Sequence, residues 1–163
     1  MPIQSISSWG EHFLDGRKYL DTAVKGLNRP SVFNNELIFQ LAAMAIEKMI
    51  IGLYHYHRQM PFDHTLSGLV EGLASVCPLE SGLAQKIKHI EQIDNMCTLA
   101  PVRRTEPNDG DIQLVLDVGR EVAGFTKRHI PLEDLSKNGL EMKRPPPEEG
   151  TRENFECYLH PKP

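Results

Sequence analysis

The chain has little cysteine, and what it has is badly placed for cross-linking. Cys77, Cys97 and Cys157 are three in number, widely spaced, and stand in no C-x-x-C or His-paired spacing, so neither a disulfide framework nor a metal site follows from them. Small thiols in a reducing cytoplasm are the simpler expectation. Basic charge is not in excess either: 18 Lys and Arg against 22 Asp and Glu give a net charge of -4, which excludes the global field that drives nonspecific nucleic-acid binding. Any such contact has to be local. The opening MPIQSISSWGEHF has no basic stretch followed by an apolar run, unlike a secretory signal. No cofactor and no metal are expected.

What the chain does have is one long apolar stretch, from Phe33 to His57. It reads as a single helix apolar on nearly every face, whose strongly polar side chains between Leu37 and Tyr54 are Gln40, Glu47 and Lys48. Such a helix must be wrapped by other helices or by lipid. A lysine at a bilayer centre costs roughly 2.5 to 3.5 kcal/mol, and no second spanning segment is present to shield Glu47-Lys48. The expectation is a buried central pillar in a soluble bundle, with no membrane partner. Asn34 or Asn35 can cap it, with Glu36 in the first turn suiting the helix dipole. Glu36, Gln40, Ala43 and Glu47 form one narrow stripe facing solvent or a polar partner.

The other helices are read from caps and apolar spacing. Ser7 or Ser8 with Glu11 makes a capping box, and Trp9, Phe13, Leu20, Ala23 and Leu27 recur at helical spacing to Asn28. Its opposite face, with Asp15, Arg17, Lys18, Asp21 and Lys25, mixes signs and reads as solvated. A third helix opens at His64-Thr65-Leu66, capped by Asp63 or Thr65, and ends at Cys77-Pro78. The fourth starts at Glu80-Ser81 and buries Leu83, Ile87, Ile90, Ile93 and Cys97. A long loop from Ala100 to Gly110 precedes a fifth helix, capped by Asp111 and running to His129. The expected fold is therefore all-α, an up-and-down bundle of four to five helices over residues 1–130. A proline-containing extension over 131–163 follows, with a spacer at Lys143 to Gly150 and a tail in which Phe155, Cys157 and Leu159 alternate with polar residues.

The run Ala42-Ala43-Met44-Ala45-Ile46-Glu47-Lys48-Met49-Ile50 and the element His64-Thr65-Leu66-x-x-Leu69, in this order, resemble the HEPN domain family over about residues 8 to 130. The resemblance implies an all-helical, commonly homodimeric bundle, in a family of metal-independent ribonucleases and of non-catalytic relatives that bind nucleotides or pair with minimal nucleotidyltransferases. The ribonuclease branch carries Arg-x(4–6)-His at the start of the last helix. There histidine moves a proton for attack by a 2'-hydroxyl, and arginine stabilises the phosphoryl charge. In this chain the corresponding segment, Val102-Arg103-Arg104-Thr105-Glu106-Pro107, has no histidine at that spacing from either arginine.

The first functional expectation is consequently a non-catalytic HEPN-like dimeric module that binds a nucleotide, RNA or a partner protein. Arg103 and Arg104 are the leading phosphate donors, with Lys48, Arg58 and His64 as a second group. The alternative is a metal-independent ribonuclease with a displaced pair. Arg58 and His64 alone have the right spacing, though in the wrong loop. A further alternative is a purely structural dimer held by the Pro145 to Pro147 tail. His55 and His57, two apart on a helix, point different ways and read as interface or surface residues, as do the isolated His89 and His129.

Overall fold

A computed structural model describes residues 9–94 and 106–131. Within them the chain is an all-α bundle with no strand. Its helices are α1 (Trp9–Gly26), α2 (Asn35–Tyr56), α3 (Leu66–Leu73), α4 (Ser81–Asp94) and α5 (Asp109–His129). Each helix packs on the next, and α2 is also covered by α5.

The pillar expectation holds. α2 is long and apolar enough to cross a membrane, yet 67% of its most apolar stretch is buried by the rest of the chain. Ala42, Ala45, Ile46, Met49, Ile50 and Leu53 are fully buried, while Glu47 and Lys48 emerge half-exposed between them. The charged pair is therefore not sealed in a dry core. In the stripe from Glu36 to Glu47, Gln40 bonds back to Glu36 (3.4 Å) and Ala43 is covered.

Helix α1 lies antiparallel on α2, because its early residues meet late residues of the pillar and its later ones meet earlier turns. Two glycines permit the close crossing. A Cβ on Gly16 would stand 2.6 Å from Met49 Cγ and 3.0 Å from the Ala45 carbonyl oxygen, and one on Gly52 would stand 3.2 Å from the Trp9 carbonyl oxygen. With no side chain at either position, the two backbones approach, and Phe13, Leu20 and Ala23 of α1 are buried, Leu20 beside Gly119 of α5.

Several helix ends differ from expectation. Asn108, not Asp111, caps α5: its side chain accepts from Gly110 N (2.8 Å) and Asp111 N (3.1 Å), while Asp111 closes a capping box by accepting from Asn108 N (2.9 Å). Asn34 caps α2 through Leu37 N at 2.9 Å, and Thr65 caps α3 through Gly68 N at 3.1 Å. Helix α3 stops at Leu73, before Cys77-Pro78, where the Ser75 hydroxyl bonds the Gly72 carbonyl (2.9 Å) in place of helix continuation. Helix α1 stops at Gly26, so Leu27 sits past its end, 47% exposed. Ser7, Ser8, Cys97 and the extension beyond Pro131 lie outside the described residues.

Candidate functional site

The C-terminal half of α2 gathers four of the chain's seven histidines together with Lys48 and Arg58, and three neighbours place them. The first is the α2–α3 loop. Its nine residues, 57–65, double back along the pillar. His64 thus reaches Glu47, Nδ1 to Oε1 at 3.9 Å, about two and a half turns below the end of the helix. Thr65 N bonds the Asp63 carboxylate at 2.8 Å and fixes the return, and that bond holds the Asp63 carboxyl below its usual range. Leu66 and Leu69 then enter the core, and the Tyr54 hydroxyl donates to the Leu69 carbonyl at 2.7 Å. The His-Thr-Leu-x-x-Leu element is in physical terms a loop anchor, a helix cap and two core residues.

The loop's outer side is open. Arg58 is exposed and takes a left-handed backbone (φ 56), the turn that lets the chain leave the helix. Met60 is 65% exposed and Phe62 is 107% exposed. Among the described residues nothing holds Arg58 against His64, whose ionic partner is Glu47.

The second neighbour is α1. Lys48 and His55 are two turns apart on one stripe of the pillar, and His12 of α1 comes up against them. The His12 and His55 rings meet edge to face, centroids 4.7 Å apart. All three side chains are half-exposed. His12 is held below its ordinary pKa of 6.5, first by burial, then by His55 and Lys48, against the opposing pull of Asp15 and Glu11. His12 had no place in the sequence-based expectation. Its signal lay in Gly16 and Gly52, which set the crossing that brings the rings together.

The third element is the helix end itself. Trp9 packs edge-on to Tyr56, and Tyr56 edge-on to His57, each pair at 5.3 Å. His57 caps α2, and its Nε2 is buried without a hydrogen-bond partner among the described residues. His55 and His57 do point apart, yet His55 is a packing partner of α1 and not a plain surface residue. His129 instead stacks on Phe125 (4.0 Å) and bonds its carbonyl (2.9 Å).

Arg103 and Arg104 lie outside the described residues, and among those described no group of three or more His, Cys, Asp or Glu is placed to hold a metal ion. In comparison with known proteins, the chain matches no family model, no curated protein and no solved structure. The HEPN resemblance therefore stands on its own motifs.

Proposed function

We propose that this chain is a non-catalytic, HEPN-like module that binds single-stranded RNA or a nucleotide at the C-terminal end of the pillar helix. The observation that carries this reading is Phe62, 107% exposed on a loop that also bears exposed Arg58 and His64. A fully exposed phenylalanine contributes nothing to the core. It offers a face on which any base can stack, worth about 1–3 kcal/mol per base. Arg58 and His64 flank it with donors for phosphate oxygens, and Lys48 stands on the adjoining face of the pillar. The net charge of -4 makes this a local contact and not a genome-scale electrostatic trap.

The homodimer and a minimal nucleotidyltransferase partner belong to the same proposal. Leu37 and Met44, 38% and 37% exposed on the pillar, supply apolar surface that a second chain can cover. Light scattering of the purified protein tests the dimer, a monomer at micromolar concentration counting against it.

Binding is tested by fluorescence anisotropy with a short labelled single-stranded RNA. Phe62→Ala is expected to weaken binding about 5- to 150-fold, the equivalent of one stacked base, without lowering the melting temperature. Arg103→Ala with Arg104→Ala in the same assay decides whether the 95–105 segment contributes. Unchanged affinity in Phe62→Ala overturns the proposed site. Cleavage of RNA in EDTA that disappears in His64→Ala makes the chain a ribonuclease instead.

A further inference from the structure

The loop that carries Phe62 is tied down at both ends. At its start Gln59 N returns to the Tyr54 carbonyl (2.9 Å) and Arg58 N to the His55 carbonyl (3.0 Å). This is the paired closure of a helix C-terminus, with Arg58 in the left-handed position (φ 56) where glycine is usual. At its finish the Asp63 carboxylate accepts from Thr65 N (2.8 Å), and the Thr65 hydroxyl oxygen accepts in turn from Gly68 N (3.1 Å). His64 leans on the pillar through Glu47, 3.9 Å away. Between the two knots stand Met60, Pro61 and Phe62, and the proline ring fixes its own φ.

Gly68 completes the second knot. A Cβ there would stand 2.4 Å from Asp63 Oδ2, 2.5 Å from Cγ and 2.7 Å from Cβ. The Asp63 side chain thus occupies space on the first turn of α3 that any other residue would fill. Asp63 is exposed, so the knot adds little to the core, and its consequence is the placement of the next residue along, Phe62. The start of α3 is no anion site of its own. Ser67 N is taken by Glu91 (2.7 Å), Gly68 N by Thr65, and Leu69 N by the Thr65 carbonyl (2.9 Å). A loop whose backbone is ordered at folding does not have to be ordered again at binding.

We infer that residues 58–65 are a preformed arch in which Asp63 and Gly68 are positioning residues, holding Phe62 out so that a base docks on it without the loop having to fold. The inference rests on the reading of Phe62 as a base platform.

Two readouts on the full chain test it: backbone order parameters of residues 60 and 62–64 from NMR relaxation, and affinity for the short labelled single-stranded RNA by anisotropy. In the wild type those residues should be as ordered as a helix, about 0.85, and Asp63→Ala and Gly68→Ala should each drop them below about 0.6. Either change should weaken RNA about threefold to tenfold, because the loosened loop spends only part of its time in the competent shape. Asp63→Asn, whose amide oxygen can accept from Thr65 N, should restore both readouts. The double variant should be no weaker than the weaker single one, since both changes break one contact. Arg58→Gly suits the left-handed turn, and should weaken RNA while leaving the arch ordered, as loss of a contact group does. A wild-type arch already below about 0.6 overturns the inference. So does loosening in Asp63→Ala with RNA affinity unchanged, or an Asp63→Asn variant as weak as Asp63→Ala. If the wild type binds no RNA but Asp63→Ala loosens an ordered arch, the base-binding reading falls while Asp63 and Gly68 keep their positioning role. If the arch is mobile and Phe62→Ala still abolishes binding, that reading stands and the inference falls.

Discussion

The two ends of the pillar helix are built on opposite principles. At its N-terminal end the polar groups form a hydrogen-bonded joint with the start of α5. Asn34 caps Leu37 N, and the Asn35 amide bonds the Pro107 carbonyl (3.0 Å) and the Asp109 carboxylate (3.2 Å). The Asn108–Asp111 capping box closes the start of α5 beside it. At its C-terminal end the basic side chains of His12, Lys48, His55, Arg58 and His64 gather with the carboxylates of Glu11, Asp15, Glu47 and Asp63 among them, and Phe62 stands fully exposed beside them. One end is a joint and the other is a surface prepared for a ligand.

The largest expected effect tests what holds the two ends apart, the α1–α2 crossing. Gly16→Leu must displace Met49 and the Ala45 backbone and should cost about 3 kcal/mol or more, read as a lower urea midpoint at constant slope. Gly82→Ala, whose Cβ meets nothing within 4 Å, should instead stabilise by about 0.5–1 kcal/mol. A loss below about 1 kcal/mol for Gly16→Leu would mean that the helices do not cross this closely.

Next come the caps. Asn34→Ala and Asn108→Ala should each cost about 1 kcal/mol, whereas Arg58→Ala and His64→Ala at the other end should stay within about 0.5 kcal/mol of wild type. Equal losses at both ends would erase the contrast between joint and surface. A smaller effect is pH-dependent. The folded pKa of His12 is depressed below 6.5, so the unfolded chain binds the proton more readily. The stability His12 contributes is complete above pH 6.5 and is lost as pH falls through its folded value. Melting temperature should therefore decline on acidification from pH 7.5, and His12→Gln should flatten that decline. Smallest of all, Lys86→Ala, which breaks the exposed 2.7 Å pair with Glu121, should cost less than about 1 kcal/mol.

The fold was legible in the sequence because its cause is local. Apolar spacing, asparagine and threonine caps and one all-round apolar helix define a bundle without knowledge of any long-range contact. The errors were also local. Asp111 and Asn108 compete for the same cap, and the asparagine prevails because the aspartate three residues later completes a reciprocal pair. Pro78 places the expected end of α3 at Cys77-Pro78, but Val76 N turns to the Leu73 carbonyl, the Ser75 hydroxyl takes the Gly72 carbonyl, and the helix closes early. The site was half legible. Lys48, Arg58 and His64 follow from sequence proximity to the pillar's end, whereas His12 is distant in the chain and joins His55 only through a crossing allowed by two glycines. The exposure of Phe62 could not be read at all, since a phenylalanine in a Pro-Phe-Asp loop is as readily tucked in as turned out.

The most direct measurement is a map of where a ligand lands. Backbone amide shifts of the full chain are recorded with and without a short 5'-phosphorylated single-stranded RNA. The expected result is perturbation clustered at residues 58–64 and around Lys48, with residues 34–36 and 107–111 unchanged. Perturbation centred on the Asn34–Asn108 joint, or none anywhere at saturating RNA, would contradict a ligand surface at the C-terminal end of the pillar.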